Sequence, residues 1–308
     1  MATLKDYSSK ELLLSSGHRA CAGCGFPIII KQALMATDNP KVVGCATGCM
    51  EVCTSIFPYT AWKVPFIHNA FENSAATISG VEAAYNALKR RGALPVNKEI
   101  DFIAFGGDGG TYDIGFQSLS GAMERGHDML YICYDNQAYM NTGVQRSSAT
   151  PRGASTSTSP VGSESYGKKQ YRKDLTETMV AHEIPYVAQA APHNWRDIVD
   201  KVNKGLAVKG PAFINVIQPC VLGWKYPADQ SMELSKLAVD TCLWPLYEVV
   251  DGEYKLTYMP KEKKPIIEFL KKQDRFRHLF SSNNNGIINE IQADIDRKWN
   301  KLLKLCNV

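Results

Sequence analysis

The stretch from Phe105 to Gly143 limits the possible folds most, because it reads as two parallel strands whose ends face one another. Residues 101–106 (DFIAFG) form a short apolar run leading into Gly106, Gly107, Asp108, Gly109 and Gly110. Helical character follows from about Ile114 to Gly126, and a second apolar run, Met129–Tyr134, is closed by Asp135 and Asn136. Two strand-length runs separated by a helix-length segment predict neighbouring parallel strands joined by a right-handed crossover. Both strands then end on the same sheet edge, where open α/β sheets bind ligands. Asp108 and Asn136 therefore face one another across a small gap. One carboxylate, one amide oxygen and glycines that permit close backbone approach suit Mg²⁺ bridging a diphosphate. Backbone amides at the start of the helix help to hold the anion.

GDGG alone also fits a tight turn in any α/β protein. It is not a Walker A loop, since no Lys-Ser or Lys-Thr follows, and the G-x-G-x-x-G fingerprint is absent because Tyr112 stands three beyond Gly109. The second half discriminates. Asn136-Gln-Ala-Tyr-Met-Asn141-Thr-Gly143 is a polar, Gly-terminated segment starting where a buried strand ends. Together the halves resemble the thiamine diphosphate motif, a Gly-Asp-Gly followed by an Asn a little under thirty residues later.

Composition narrows the classes. The 308 residues suffice for one large α/β domain or two smaller ones. An apolar fraction of 44% and a charged fraction of 21% are ordinary for a globular protein. A net charge of +4, with small excesses at Lys168–Lys173 and Lys261–Lys264, gives nucleic-acid binding little support, and both patches read as solvated faces. The amino terminus lacks the apolar core of a signal peptide and no eighteen-residue apolar run occurs, so a cytoplasmic chain without a membrane span is expected.

Nine cysteines in such a chain point to metal or cluster ligands before a disulfide framework. Cys21-Ala-Gly-Cys24 is a CxxC; Cys49 follows in CATGCMEVC, flanked by Cys45 and Cys53 at helical spacing; Cys220 closes INVIQPC after a strand-like run. Cys133 lies inside the expected strand and reads as core, while Cys242 and Cys306 have no partner motif. A zinc ribbon would supply a second CxxC, and a thioredoxin-type dithiol would follow a strand, whereas SSGHRA is polar. Four dispersed thiolates can hold a [4Fe–4S] cluster. On spacing alone cluster and zinc both stay open.

The α/β pattern resumes as helix Leu175–His182, strand Tyr186–Ala190, helix Trp195–Leu206 and strand Ala212–Ile217. The Ser/Thr/Gly/Pro-rich run Ser147–Gly167 reads as an ordered loop over the site or at an interface. Ser74–Ser79 reads as a tightly packed helix. The expected division is residues 1–226 as the α/β domain and residues 227–308 as a C-terminal arm and helix, packed on that domain or on a partner. That arm reads as mainly extended, with a hairpin at Asp251-Gly252 and a closing amphipathic helix, Ile287–Leu305.

With these residues in place, the chain resembles the β subunits of the 2-oxoacid:ferredoxin oxidoreductase family, in particular those acting on pyruvate. The matching segments are GHRACAGCG at 17–25, ATGCMEVCTSIFPYTAW at 46–62, IHNAFENSAATISGVEAAY at 67–85, FGGDGGTYDIGFQSLSGAMERGHD at 105–128, YDNQAYMNTGVQRSSATPRGA at 134–154, WPLYEV at 244–249 and FLKKQDRFRH at 269–278. They span nearly the whole chain. The resemblance implies a mostly parallel sheet flanked by helices, in the thiamine diphosphate-binding fold. It implies that Asp108, Asn136 and the Ala138 carbonyl hold Mg²⁺, that Gly107 and Gly109 line the diphosphate, and that Asn141 points at thiazolium and substrate as an oxyanion donor. Cys21, Cys24, Cys49 and Cys220 are the implied [4Fe–4S] ligands. The family pattern has no cysteine at 45 or 53, and Cys49 is the choice because it matches the family's position. His68, Asn69 and Glu72 lie in a matching segment as structural or catalytic candidates.

The implied activity is reversible oxidative decarboxylation of pyruvate with coenzyme A to acetyl-CoA and CO₂, electrons passing through the cluster to ferredoxin. Sister enzymes act on 2-oxoisovalerate, 2-oxoglutarate or oxalate. The resemblance also implies an α subunit supplying the activating Glu and much of the substrate pocket, with γ and δ subunits or equivalent domains. A cluster- or zinc-bearing electron carrier would leave Asp108, Asn136 and Asn141 idle, and a structural subunit with a decayed site should have lost ligand residues.

Overall fold

The computed structural model describes residues 3–94, 99–281 and 285–308. Its centre is an eight-stranded sheet: β1 (Lys41–Ala46), β2 (Phe66–Asn69), β3 (Asp101–Gly107), β4 (Leu130–Asp135), β7 (Tyr186–Ala190), β8 (Ala212–Ile217), β9 (Tyr247–Val250) and β10 (Glu253–Leu256). A separate two-stranded hairpin, β5 (Val161–Gly162) with β6 (Ser165–Tyr166), lies in the loop after β4. The sheet order is β10-β9-β7-β8-β4-β3-β1-β2. Strands β7, β8, β4, β3, β1 and β2 pair in parallel, and β9 and β10 add antiparallel. The expected parallel neighbours β3 and β4 are confirmed, with Gly107 opposite Tyr134 at their ends. The mostly parallel α/β fold stands.

Parallel strands covered on both faces read as near-continuous apolar runs, with alternate residues entering different cores. Phe102, Ala104, Tyr131, Cys133 and Phe213 join one core, and Ile103, Phe105, Ile132, Tyr134 and Ile214 the other. Helices Phe26–Leu34 and Trp195–Ala207 cover the second face through Ile29, Ile30, Ile198 and Val202. On the first face, helix Ser74–Arg90 sends in Ala75 and Ile78, and helix Phe116–Glu124 sends in Leu119 and Ala122. Cys133 is buried core, as expected, and Ser74 and Ser79 are buried as close packing requires.

Four expectations need correction or refinement. The crossover helix, Phe116–Glu124, lies close to its expected bounds, but an unexpected π-helical turn, Gly109–Ile114, precedes it. Gly115 N–H donates to the Gly110 carbonyl at 2.8 Å, widening this turn, and a side chain at Gly115 would strike that same carbonyl. Beyond Pro227 the chain is not mainly extended. It forms the helix Ser231–Asp240, whose Leu234, Leu237 and Ala238 enter the core, and then β9 and β10 around the expected Asp251-Gly252 turn. Helix Asn285–Leu305 closes the chain and buries Ile291, Ile295 and Trp299. Cys45 does not share a helix with Cys49; it is buried in β1, and the helix Cys49–Thr54 begins after it. The Lys168–Lys173 segment is a solvated face only in part: Lys169 and Lys173 are exposed, but Lys168 is 1% exposed and Arg172 is largely buried.

Candidate active site

Parallel pairing brings four strand ends to one edge. β3 delivers Asp108, β4 delivers Asn136, and the neighbours on either side, β1 and β8, lead into Cys49 and Cys220. Thr47, Cys49, Asp108, Asn136, Ala138 and Asn141 line one shared pocket. Gly107 and Gly109 line it too, but a side chain at Gly109 would land 2.3 Å from the Tyr139 ring, so the close approach there is made by that ring. Phe71 meets the Tyr139 ring edge-on from the far side.

The end of the Asn136 amide facing Asp108 lies 2.7 Å from the Ala138 carbonyl oxygen and 2.8 Å from Asp108 Oδ1. With the amide oxygen there, three acceptors converge with no hydrogen between them; with the nitrogen there, it donates to both. Octahedral Mg²⁺ with bonds of about 2.0–2.1 Å sets adjacent oxygens about 2.9 Å apart. The oxygen-inward arrangement therefore suits a small hard cation. Asp108 is fully buried, accepting the Asn136 N–H at 3.2 Å and the Ser147 hydroxyl at 2.5 Å. Burial first, then the negative charge of Asp135, holds its carboxyl pKa well above the ordinary range. A divalent cation at this position would replace the proton.

Gln137 makes the convergence of Asn136 and Ala138 on Asp108 feasible. It adopts φ 70°, a left-handed conformation uncommon outside glycine, which must be imposed by its surroundings. Its N–H donates to Asp135 Oδ1 at 3.0 Å, its carbonyl accepts the Thr150 hydroxyl at 2.7 Å, and its side-chain oxygen accepts Arg275 Nη2 at 2.5 Å. Trp224 Nε1 donates to the preceding Asn136 carbonyl at 2.7 Å. Asp135 is fully buried and bonded by Tyr112 and Arg172, both at 2.7 Å. Breaking such a buried pair by removing one partner costs about 3–5 kcal/mol. The Lys168 ammonium, with pKa pulled down to about 7 chiefly by burial, donates to the carbonyls of Ser147, Ser148 and Thr150 and fixes the loop that carries the Ser147 hydroxyl. Gln137, Ser147, Thr150 and Arg275 lie in segments that match the family but had no role assigned to them, and Lys168, Arg172 and Trp224 lie outside every matching segment. The one available signal was the density of polar residues around two buried strand ends.

The cysteine corner lies beside this cradle. Cys21 is exposed, and Cys24, Cys49 and Cys220 are partly buried. Cys220, Cys49 and Cys21 all act electrostatically on Cys24, Cys220 and Cys21 act on Cys49, and Cys21 acts on Cys220. Burial raises Cys24 strongly and pushes Cys49 to about 12, so thiolate formation there needs a cation. Cys53 adds to the field at Cys49, whereas Cys45 faces the core. Among the described residues no three His, Cys, Asp or Glu close on a single metal ion. Gln218 Nε2 donates to Cys24 Sγ at 3.5 Å and the Gly223 N–H to Cys220 Sγ at 3.4 Å. Gly23, at φ 74°, packs so closely that a side chain would lie 2.2 Å from the Ala228 carbonyl oxygen; this fixes the CxxC turn against the later chain. Asn141 is exposed at the pocket mouth and shares the pocket lining with Cys49, linking corner to cradle. His68 meets Thr47 Oγ1 at 2.8 Å and Glu51 at 3.5 Å, and Asn69 ends β2. His68, Asn69 and Glu72 do not line the pocket among its described residues.

The sequence comparisons coincide with this geometry. Residues 42–216 match the family described as thiamine pyrophosphate enzyme, C-terminal TPP binding domain. The chain is 53% identical over 305 residues to pyruvate synthase subunit PorB of Thermotoga maritima, covering 98% of this chain and 94% of that protein. The chain belongs to the pyruvate synthase PorB family. It is thus a subunit of the 2-oxoacid:ferredoxin oxidoreductase class of enzymes. A second PorB, from Methanocaldococcus jannaschii, is 52% identical over 96% of this chain and 98% of its own length. Ketoisovalerate oxidoreductase subunit VorB of Pyrococcus abyssi is 41% identical over 95% of this chain and 93% of its own. The fold is shared with 2-oxoglutarate:ferredoxin oxidoreductase from Magnetococcus marinus, with a TM-score of 0.54 at 20% identity over 72% of this chain and 79% of that one. The matched thiamine-binding region spans the whole cradle but ends before Cys220 and begins after Cys24. Among the described residues no helix is long and apolar enough to cross a membrane.

Proposed function

We propose that this chain is the cofactor-bearing β subunit of a cytoplasmic pyruvate:ferredoxin oxidoreductase, working with coenzyme A and reversibly. The observation that carries the reading is the single pocket in which the Asp108, Asn136 and Ala138 oxygens meet Asn141 and Cys49. Asp108, Asn136 and the Ala138 carbonyl hold Mg²⁺, and Gly107 and Gly109 line the diphosphate. When bound, thiamine diphosphate supplies the electron sink that lets a 2-oxoacid lose CO₂. Asn141, exposed at the mouth, offers an amide N–H to charge developing on the substrate oxygen. Cys21, Cys24, Cys49 and Cys220 hold a [4Fe–4S] cluster as thiolates. Asn141 and Cys49 line the same pocket, which sets its substrate end beside that cluster's ligand shell.

Pyruvate is favoured over 2-oxoisovalerate because identity to the PorB proteins reaches 53% against 41% to VorB. Asn141 faces outward, so the site is completed by a partner: an α subunit bringing the activating Glu and much of the substrate pocket, with γ and δ subunits carrying electrons on to ferredoxin. The test is anaerobic purification with co-expressed partners, followed by iron, sulfide and thiamine analysis and turnover with pyruvate and 2-oxoisovalerate. Bound thiamine, a cluster assigned to this chain and preference for pyruvate support the reading. Zinc in place of iron with no thiamine overturns it.

A further inference from the structure

Arg275 occupies the boundary between cradle and cysteine corner. It is 3% exposed and comes from the 3₁₀ segment Asp274–Phe280, far from both in sequence. Its Nη2 donates to Gln137 Oε1 at 2.5 Å and its Nε to Gln273 Oε1 at 2.9 Å, so both acceptors are neutral amides. The guanidinium lies 4.2 Å from the centroid of the Trp224 ring, whose own N–H holds the Asn136 carbonyl. A buried cation needs opposing charge. Two groups can supply it: Asp135, which accepts the Gln137 N–H, and, as a thiolate, Cys220, which caps the helix Val221–Trp224 whose last ring Arg275 covers. Burial lowers the guanidinium only to about 9, which leaves it charged at neutral pH.

We propose that Arg275 is a positioning residue shared by both halves of the site: it locks the Gln137 turn that aims Asn136 and Ala138 at the cation, and its charge favours the reduced form of a cluster ligated by Cys220. The second half rests on the cluster reading given above. Iron–sulfur potentials follow the net charge and hydrogen bonding around the cluster. A fixed cation beside one ligand sulfur makes an added electron easier to hold, and low local dielectric strengthens the effect. The first half follows from backbone strain, because a left-handed Gln persists only while its surroundings over-determine it.

The experiment compares the assembled complex as wild type, Arg275→Met, Arg275→Lys and Gln137→Asn. Magnesium–thiamine diphosphate binding is measured by equilibrium dialysis, and cluster reduction by potentiometric titration with electron paramagnetic resonance. Arg275→Met should lower the reduced-to-oxidised ratio of one cluster several-fold at fixed potential and weaken cofactor binding several-fold. Arg275→Lys keeps the charge, so the ratio should hold while cofactor binding weakens. Gln137→Asn tolerates the left-handed backbone but withdraws the acceptor, and should weaken cofactor binding alone. Wild-type binding in both Arg275→Lys and Gln137→Asn overturns the positioning half, even if Arg275→Met fails to assemble. An unchanged cluster ratio in an iron-replete Arg275→Met complex, or a ratio in Arg275→Lys that falls although charge is kept, overturns the electrostatic half. A wild-type complex with no iron overturns the cluster reading itself, a result separable from both.

Discussion

The cradle and the cysteine corner meet at one pocket through Cys49, yet they are built by opposite means. In the cradle, Asp108, Asn136, Gln137 and Ala138 are all buried, and specific hydrogen bonds hold Asp108, Asn136 and Gln137 just beyond the ends of two central strands. The corner draws Cys21 and Cys24 from a loop, Cys49 from a helix of six residues and Cys220 from the start of a helix of four. Its holding contacts to sulfur are few and long, at 3.4–3.5 Å. A site fixed by strand ends is ready before its ligand arrives. A site gathered from loops takes much of its order from the metal it binds, because binding free energy then becomes folding free energy.

That contrast can be broken most sharply at Asp108. Asp108→Ala should abolish magnesium–thiamine diphosphate binding by the assembled complex while iron content stays at the wild-type level; normal thiamine retention would remove Asp108 from the cradle. The reciprocal change is Cys220→Ser, which should lose most of the iron of this site and keep thiamine, whereas Cys133→Ser, deep in the core, should keep both. Equal iron in the two variants would take Cys220 out of the ligand set. Chelating the iron should then speed hydrogen exchange at residues 21–24 and 220–224 and leave residues 135–138 protected; uniform loosening would erase the difference between the two regions.

A third test uses protons. The Asp108 pKa is raised in the folded chain, so a proton occupies the carboxyl up to that raised value and must leave when the cation binds. Magnesium affinity should therefore rise with pH below it, by up to about tenfold per unit, and level off above it. A titration of Mg²⁺ binding across neutral pH that stays flat would show that Asp108 carries no proton to displace. The smallest effect is expected from Trp224→Phe, which keeps the packing but removes the N–H held by the Asn136 carbonyl. It should cost about 1 kcal/mol of stability, or roughly fivefold in cofactor affinity if the strain falls on the cradle.

The same two regions show what the amino-acid order makes legible. Strands Tyr186–Ala190 and Ala212–Ile217 coincide with their expected bounds because buried parallel strands are continuous apolar runs. Asp108 and Asn136 stand out as polar residues directly after such runs. What supports them does not stand out. Lys168 and Arg172 look like surface charge until their partners are known, since a buried cation and a solvated one have the same letter. Arg275 meets Gln137 from 138 positions away, a pairing that no local pattern encodes. The helix Ser231–Asp240 was missed because ten residues after a proline-led turn carry too short an apolar repeat to separate helix from extended chain.

The order of the strands also dictates a timetable. β8 lies between β4 and β7, so the last strand of the parallel block to be synthesised slots between two that precede it. Cys220 follows directly from that strand. On a ribosome, a nascent chain that has emerged only as far as β7 already presents Cys21, Cys24 and Cys49, but has no frame to draw them towards a fourth thiol. Iron delivered at that moment would meet an incomplete chelate, and iron delivered after β8 has slotted home would meet a complete one. Under the cluster reading proposed above, insertion of that strand would complete the set of four thiols, because the sheet order makes the fourth the last to reach its place.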